Sequence, residues 1–290
     1  MDVLIFITMS AVVLGSLYAL LASGLSLIWS TLGVFNYAHG AVLILGAYII
    51  WALSVRLGWP VIVAMLVALP LLAVIGVFIE LVAVRPLLRR PNGTLLVMVS
   101  TLGIASAIEG LIQIFWGPKS RQVPNPAPID VPLSGFQIPM MVFISVVLTF
   151  LLIGGLHALL TKTEWGWSIL SVEQNREMAQ LVGISPARVY ATVFAIAAVL
   201  AGAAAIVYAS TVAITPTKGS GPLLTAFVVL VFGGTASLWG TVLGAFVIGA
   251  LEATTTYFFG LQWSPIVVFL LLVLVMIVRP EGLVRGRKSS

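Results

Sequence analysis

The stretch "PVIVAMLVALPLLAVIGVFIELVAVRPLLRR", Pro60 to Arg90, decides what kind of molecule this is. Residues 60–84 form an apolar run, and three arginines follow it (Arg85, Arg89 and Arg90). A helix of about 20 apolar residues matches a hydrocarbon core ~30 Å thick. Comparable runs recur at 3–30, 40–57, 94–116, 138–160, 189–213, 223–239, 240–259 and 264–279. The composition agrees: 61% of the 290 residues are hydrophobic, 8% are charged, and mean hydropathy is +1.19. Soluble domains carry roughly 25% charged residues, so this chain cannot cover a globule with polar surface. Backbone groups in lipid must be satisfied within their own segment, and no ten-residue alternating barrel pattern occurs. The expected fold is all-α: one polytopic transmembrane bundle over residues 1–290, with eight or nine membrane segments including broken helices.

Charge supplies an orientation. The clusters Arg85/Arg89/Arg90, Lys162/Arg176/Arg188 and Arg279/Arg285/Arg287/Lys288 alternate along the chain with Arg56, Lys119, Arg121 and Lys218. The positive-inside rule places the first set in the cytoplasm. The N-terminus is then external and the C-terminus cytoplasmic. The net charge of +5 is explained by this distribution and is no nucleic-acid footprint. The Met-Asp start lacks the basic region of a signal peptide, so the first segment reads as a retained span. There are no cysteines, which excludes disulfides and thiol chemistry.

Residues 117–137 are rich in proline and read as an external, polyproline-biased loop. Two segments interrupt the helical pattern. "STLGVFNYAHG" (30–40) sets Asn36, Tyr37 and His39 between glycines, and "GGTASLWGTVLG" (233–244) contains Gly233, Gly234, Thr235, Gly240 and Gly244. Each is followed by a similar phrase, GAY at 46–48 and GAF at 244–246. Glycine-broken segments in corresponding halves point to a transport path.

The polar passage "SVEQNREMAQLVGISPARV" (171–189) contrasts with everything around it. Ser171 with Gln174 reads as a capping box, Glu173 suits the first-turn dipole, and Gly183 stands as a terminating glycine. Ser185-Pro186 opens the next helix. The expectation is a short helix over about 172–182 in a cytoplasmic loop spanning 162–188. Glu173, Arg176, Glu177 and Gln180 would share one face, with Val172, Ala179, Leu181 and Val182 towards the other.

"EMAQLVG" (177–183) resembles the Glu-Ala-Ala-x-x-x-Gly core of the cytoplasmic loop in ABC importer permeases. Met178 replaces that core's alanine, at little cost to the helix, and its Ile-x-Leu-Pro tail is absent. Further passages resemble LivH-type permeases of branched-chain amino acid importers. They are "GVFNYAHGAVLILGAYI" (33–49), "TLGIASAIEGLIQIFWGP" (101–118), "FGGTASLWGTVLGAFVIGALEA" (232–253) and "VFLLLVLVMIVRPEGLVRG" (268–286). The resemblance implies a multi-pass subunit of a prokaryotic plasma (inner) membrane. Its implied partners are a homologous LivM-like permease, two ABC ATPase subunits and an external or periplasmic binding protein. ATP and Mg would sit on the ATPases, and this chain would bind no cofactor. The helix at 172–182 would be the coupling helix, with Glu173, Arg176, Glu177, Ala179 and Gly183 transmitting ATPase closure to the spans. The chain's own residues agree, since no P-loop motif and no Cys/His cluster occurs.

Glu109 and Glu252 are acids within apolar segments, where charge is costly and normally faces protein or water. With Asn36, Tyr37, His39, Gly233, Gly234 and Thr235 they are the candidate path residues; the competing roles are a structural one near the outer mouth for Glu109, helix packing for Glu252 and the glycines, and a buried imidazole bonded to backbone for His39. Thr254–Thr256 beside Glu252 are either interhelical partners or cavity polarity. Two other functions fit parts of the pattern. One is the same permease type importing urea, short amides or small aromatic and carboxylic acids. The other is a proton-coupled secondary transporter relaying through Glu109, Glu252 and His39, which has no need of a capped docking helix.

Overall fold

The computed structural model of the chain describes residues 2–133, 136–235 and 237–279. Arg285, Arg287 and Lys288 of the expected C-terminal basic cluster lie outside the described residues. The elements run α1 (Asp2–Leu32), α2 (Ala38–Trp51), α3 (Val61–Ile79), α4 (Gly93–Trp116), β1 (Asp130–Leu133), β2 (Phe136–Pro139), α5 (Met140–Lys162), α6 (Glu164–Gln174), α7 (Arg176–Leu181), α8 (Pro186–Thr211), α9 (Ser220–Gly233), α10 (Leu238–Phe259) and α11 (Ser264–Val278). Short π-helical turns extend α2 through Arg56 and α3 through Val84. Among the described residues, eight helical stretches are long and apolar enough to cross a membrane, and α9 is a shorter apolar helix. The chain is a multi-pass helical membrane protein.

The bundle is organised around α1 and α8. From Val189 to Ser210 no side chain of α8 is exposed. Its run of small residues, "AIAAVLAGAAAIVYA" (195–209), lets neighbours approach closely. Van der Waals packing and small residues are what hold helices together in lipid, where apolar burial gives no advantage. A Cβ on Gly202 would strike Leu72 and Leu69 of α3, and one on Gly46 of α2 would meet Leu72 and Ala205. The α1–α10 contact is built the same way. A Cβ on Gly249 would press on the Gly15 backbone and the Ala11 carbonyl. Gly249→Val should therefore cost about 1–3 kcal/mol through overpacking, read as a lower midpoint of thermal inactivation in detergent.

The proline-rich segment departs from the expected polyproline cap over part of its length. Strands β1 and β2 pair antiparallel, Asp130 opposite Pro139 and Pro132 opposite Gln137. In a two-stranded ribbon each strand is an edge, so proline's missing N–H is tolerated. Arg121 ties this segment down. Its backbone exchanges hydrogen bonds with Ile214, its guanidinium donates to the Trp116 carbonyl at 2.8 Å, and it lies 4.7 Å from the centre of the Trp51 ring.

Candidate functional site

The polar passage folds as a bent arm of two helices, which corrects the expected single helix over 172–182. Thr163 caps α6, its hydroxyl accepting from Gly166 N–H at 3.1 Å. Ser171 is no cap: it lies inside α6 and donates to the Trp167 carbonyl at 2.7 Å. The break comes at Asn175, in extended conformation. Its Oδ1 accepts from the N–H groups of Glu177 and Met178, both at 3.0 Å. Asparagine equals serine as an N-cap, and here its amide oxygen satisfies two orphan donors. The far end matches the expectation. Gly183 has φ +87°, its N–H reaches the Gln180 carbonyl and Ile184 N–H reaches the Ala179 carbonyl, both at 3.0 Å. These two bonds make a Schellman closure. Ser185 precedes Pro186 at the first turn of α8, without a side-chain capping bond.

The bend separates residues expected on one face. Glu177 and Gln180 are exposed on α7, and Ala179 is buried. Arg176 lies 5.7 Å from the centre of the Tyr190 ring of α8. Met178, Leu181 and Val182 form an apolar tip, 61%, 80% and 76% exposed. Glu173 instead turns into the bundle from α6. It lines a cavity of about 130 Å³ with Ser23, Ser26 and Ser30 of α1 and Thr235 of the α9–α10 linker. Burial pushes its carboxyl up from the usual range. The three serines were not singled out from the sequence; their spacing at i, i+3 and i+7 in the first apolar segment is the signal that marks them.

Both expected breaks are present. Between α1 and α2, Asn36 is buried and its Oδ1 accepts from Ala38 N–H at 3.1 Å. His39 is buried, and its Nε2 meets the Leu21 carbonyl at 3.1 Å. Tyr37 N–H donates to Thr101 of α4 at 3.2 Å. Leu21 lies eleven residues before the end of α1, about 16 Å at 1.5 Å per residue. The first turn of α2 therefore begins inside the bundle and not at its end. Between α9 and α10, Gly234 has φ +99°, and Ser237 caps α10 through Gly240 N–H at 3.0 Å. A Cβ on Gly233 would meet the Gly240 backbone, so the two helices touch across the linker. The Ser26 hydroxyl donates to the Thr235 carbonyl at 3.4 Å. Gly40 and Gly219 lie backbone to backbone, so α9 also starts within the bundle, beside the first turn of α2.

The two acids differ. Glu252 accepts a 2.7 Å hydrogen bond from the buried Tyr18 hydroxyl of α1, a partner 234 residues away. Glu109 is half-buried on α4, with Ser106 and Gln113 exposed near it and open space beside Gly103 and Gly110. Met98, on the same side of α4, packs against the cluster of Leu25, Phe35, Leu223 and Leu230. At 3.6 residues per turn, Met98, Ser106, Glu109 and Gln113 fall within about 80° of one another. The polar stripe of α4 thus lies on the same side of the helix as Met98, which packs beside the first break.

The family profile described as "Branched-chain amino acid transport system / permease component" matches residues 7–276. The permease protein BraD of Pseudomonas aeruginosa is 30% identical, over 93% of this chain and 92% of its own length. LivH of Escherichia coli is 28% identical over 94% and 93%, and the probable LivH of Methanocaldococcus jannaschii 27% over 94% and 90%. Among solved structures, PsaBC from Streptococcus pneumoniae shares the fold. Its TM-score is 0.52 at 12% identity, over 94% of this chain and 91% of that one. The match over nearly the whole described bundle, capped arm and both broken segments included, means that this chain belongs to the branched-chain amino acid transport system permease family.

Proposed function

We propose that the chain is a permease subunit of an ATP-driven ABC importer of branched-chain amino acids. The observation that carries this reading is the arm: α7 is closed at both ends by its own hydrogen bonds and presents an unpartnered apolar tip. A rigid, six-residue lever with exposed Met178, Leu181 and Val182 suits docking into a groove of an ATPase, and Ala179 seats it on the bundle. The substrate class comes from the names of the relatives, BraD and LivH. On this reading α6 and α7 are cytoplasmic, the N-terminus is external, and the membrane is the prokaryotic plasma membrane. A homologous permease completes the membrane unit, two ATPases hold ATP and Mg, and an external binding protein delivers substrate.

Glu109, Tyr37, Thr235 and the polar stripe of α4 are assigned to the path between the two permeases. Polar side chains exposed within a span are otherwise costly in lipid. Asn36 and His39 brace the first break, Gly233 and Gly234 allow the second, and Glu252 with Tyr18 ties α10 to α1. Glu173 connects the arm to the α9–α10 linker, so displacement of α6 acts on the inner end of the path.

The test is purification of the tagged chain from native membranes, followed by uptake in vesicles. An ATPase should co-purify with the wild type and be lost from Leu181→Asp, which places a charge at the apolar tip. Leucine uptake should need ATP and survive a protonophore. Uptake that persists without an ATPase would overturn the reading.

A further inference from the structure

A cavity of about 340 Å³ opens where the α3–α4 turn meets α7 and the start of α8. Arg85, Arg89, Arg176, Gln180, Ser185 and Tyr190 stand in its wall, and no carboxylate lines it. The three arginines are not equivalent. Arg85 is committed: its Nε and Nη2 donate to the buried Glu80 carboxylate at 3.0 and 2.7 Å. Its Nη2 also reaches the Ala187 carbonyl at 3.0 Å. It forms the wall, with its charge neutralised. Arg89 and Arg176 have no acidic partner among the described residues, and Arg176 is steadied by the Tyr190 ring. The start of the 26-residue α8 adds the positive end of a helix dipole to the same potential. The cavity is therefore cationic and built on a fixed frame.

Its depth names the kind of anion. The cavity lies where the α3 span ends and the α8 span begins. Leu88 and Ile184 share its wall, and Leu81 and Val82, on the last turn before Arg85, are 45% and 51% exposed. A cationic pocket at the end of a span whose last turn leaves apolar side chains exposed complements an amphiphile with an anionic head. Basic pockets between spans on the cytoplasmic side commonly take phosphate headgroups, and guanidinium pairs with phosphate through parallel N–H bonds. We propose that this cavity holds the phosphodiester headgroup of an anionic phospholipid. Arg89 and Arg176 bond its phosphate oxygens, and its acyl chains lie along Leu81 and Val82. Because Arg176 and Gln180 belong to α7, an occupied cavity ties the arm to the end of α3.

The experiment reads lipid retention, so it stands apart from the importer reading. The full chain, purified with whatever partners accompany it, is placed in nanodiscs of phosphatidylcholine with or without phosphatidylglycerol. Bound lipid is then counted by native mass spectrometry after detergent washing. The wild type should retain phosphatidylglycerol over phosphatidylcholine, and Arg89→Gln/Arg176→Gln should lose that retention by about tenfold. Arg90→Gln, outside the cavity, should match the wild type. The single variant Arg89→Gln, on an exposed side chain, should lose part of the retention if the double variant fails to fold. Equal retention by the wild type and the arginine variants would overturn the proposal. Displacement of the lipid by millimolar inorganic phosphate would also overturn it, in favour of a free-anion site. So would retention that vanishes whenever an ATPase is bound, since the cavity would then belong to the protein interface.

Discussion

Gly183→Val should uncouple uptake from ATP hydrolysis while leaving membrane insertion intact. The residue closes α7 at φ +87°, a conformation that costs a side-chain-bearing residue roughly 1–2 kcal/mol and a β-branched one more. Nothing lies within 4 Å of a Cβ at this position, so the penalty is purely one of backbone conformation. A six-residue helix has few internal bonds to oppose it, and short helices are marginal without their caps. Relaxing the backbone releases the Ile184–Ala179 and Gly183–Gln180 bonds, and the apolar tip loses its fixed aim. We expect uptake per ATP hydrolysed to fall by about tenfold or more, in the range of ordinary coupling energies, with unchanged yield in the membrane. Gly183→Asn is the discriminating control, because asparagine tolerates the left-handed region. It should retain most of the activity, and a valine variant that transports normally would remove the arm from the mechanism.

Arg85→Leu should be the most destabilising single change outside the helix packing. Glu80 is wholly buried and Arg85 is its partner. Glu80 begins the π turn after α3 and Arg85 caps it, with Arg85 N–H bonded to the Glu80 carbonyl at 2.7 Å. Removing the guanidinium leaves a buried charge without compensation, a loss of about 3–5 kcal/mol. It also frees the Ala187 carbonyl at the start of α8. Replacing both members, Glu80→Leu/Arg85→Leu, should recover much of that loss, since well-packed apolar substitutes for a buried pair are often nearly neutral. Thermal inactivation of the four-member cycle in detergent measures the coupling directly. Single and double variants as stable as the wild type would show that the pair contributes nothing.

The apolar runs and the positions of their ends were legible because hydrocarbon thickness sets helix length and lipid forbids unsatisfied backbone. Helix α3 shows this: the run 60–84 became Val61–Ile79 with its π turn to Val84. Both glycine-broken segments were legible for the same reason, as interruptions in an otherwise continuous apolar pattern. The arm was read in part. Gly183 marked its end, since a left-handed residue strongly favours glycine. Its start was misread, because Ser171 and Asn175 are both competent caps and local sequence ranks them alike. What favoured Asn175 was the length of α6, already nucleated at Thr163 and packed on the bundle through Ile169 and Val172.

Three further features were beyond the sequence. The Tyr18–Glu252 bond joins residues 234 positions apart. The serines of α1 gain meaning only when Glu173 and Thr235 close over them. The cationic cavity gathers Arg89, Arg176 and the start of α8 from three separate stretches. By itself the sequence determined the solvent, the approximate number of membrane segments and the existence of a polar arm, because these follow from local composition against a bilayer of set thickness. The tertiary structure alone decided which polar groups meet. A bond between distant residues depends on how helices rotate about their axes, and small-residue contacts such as Gly40–Gly219 and Gly249–Gly15 set that rotation across the bundle.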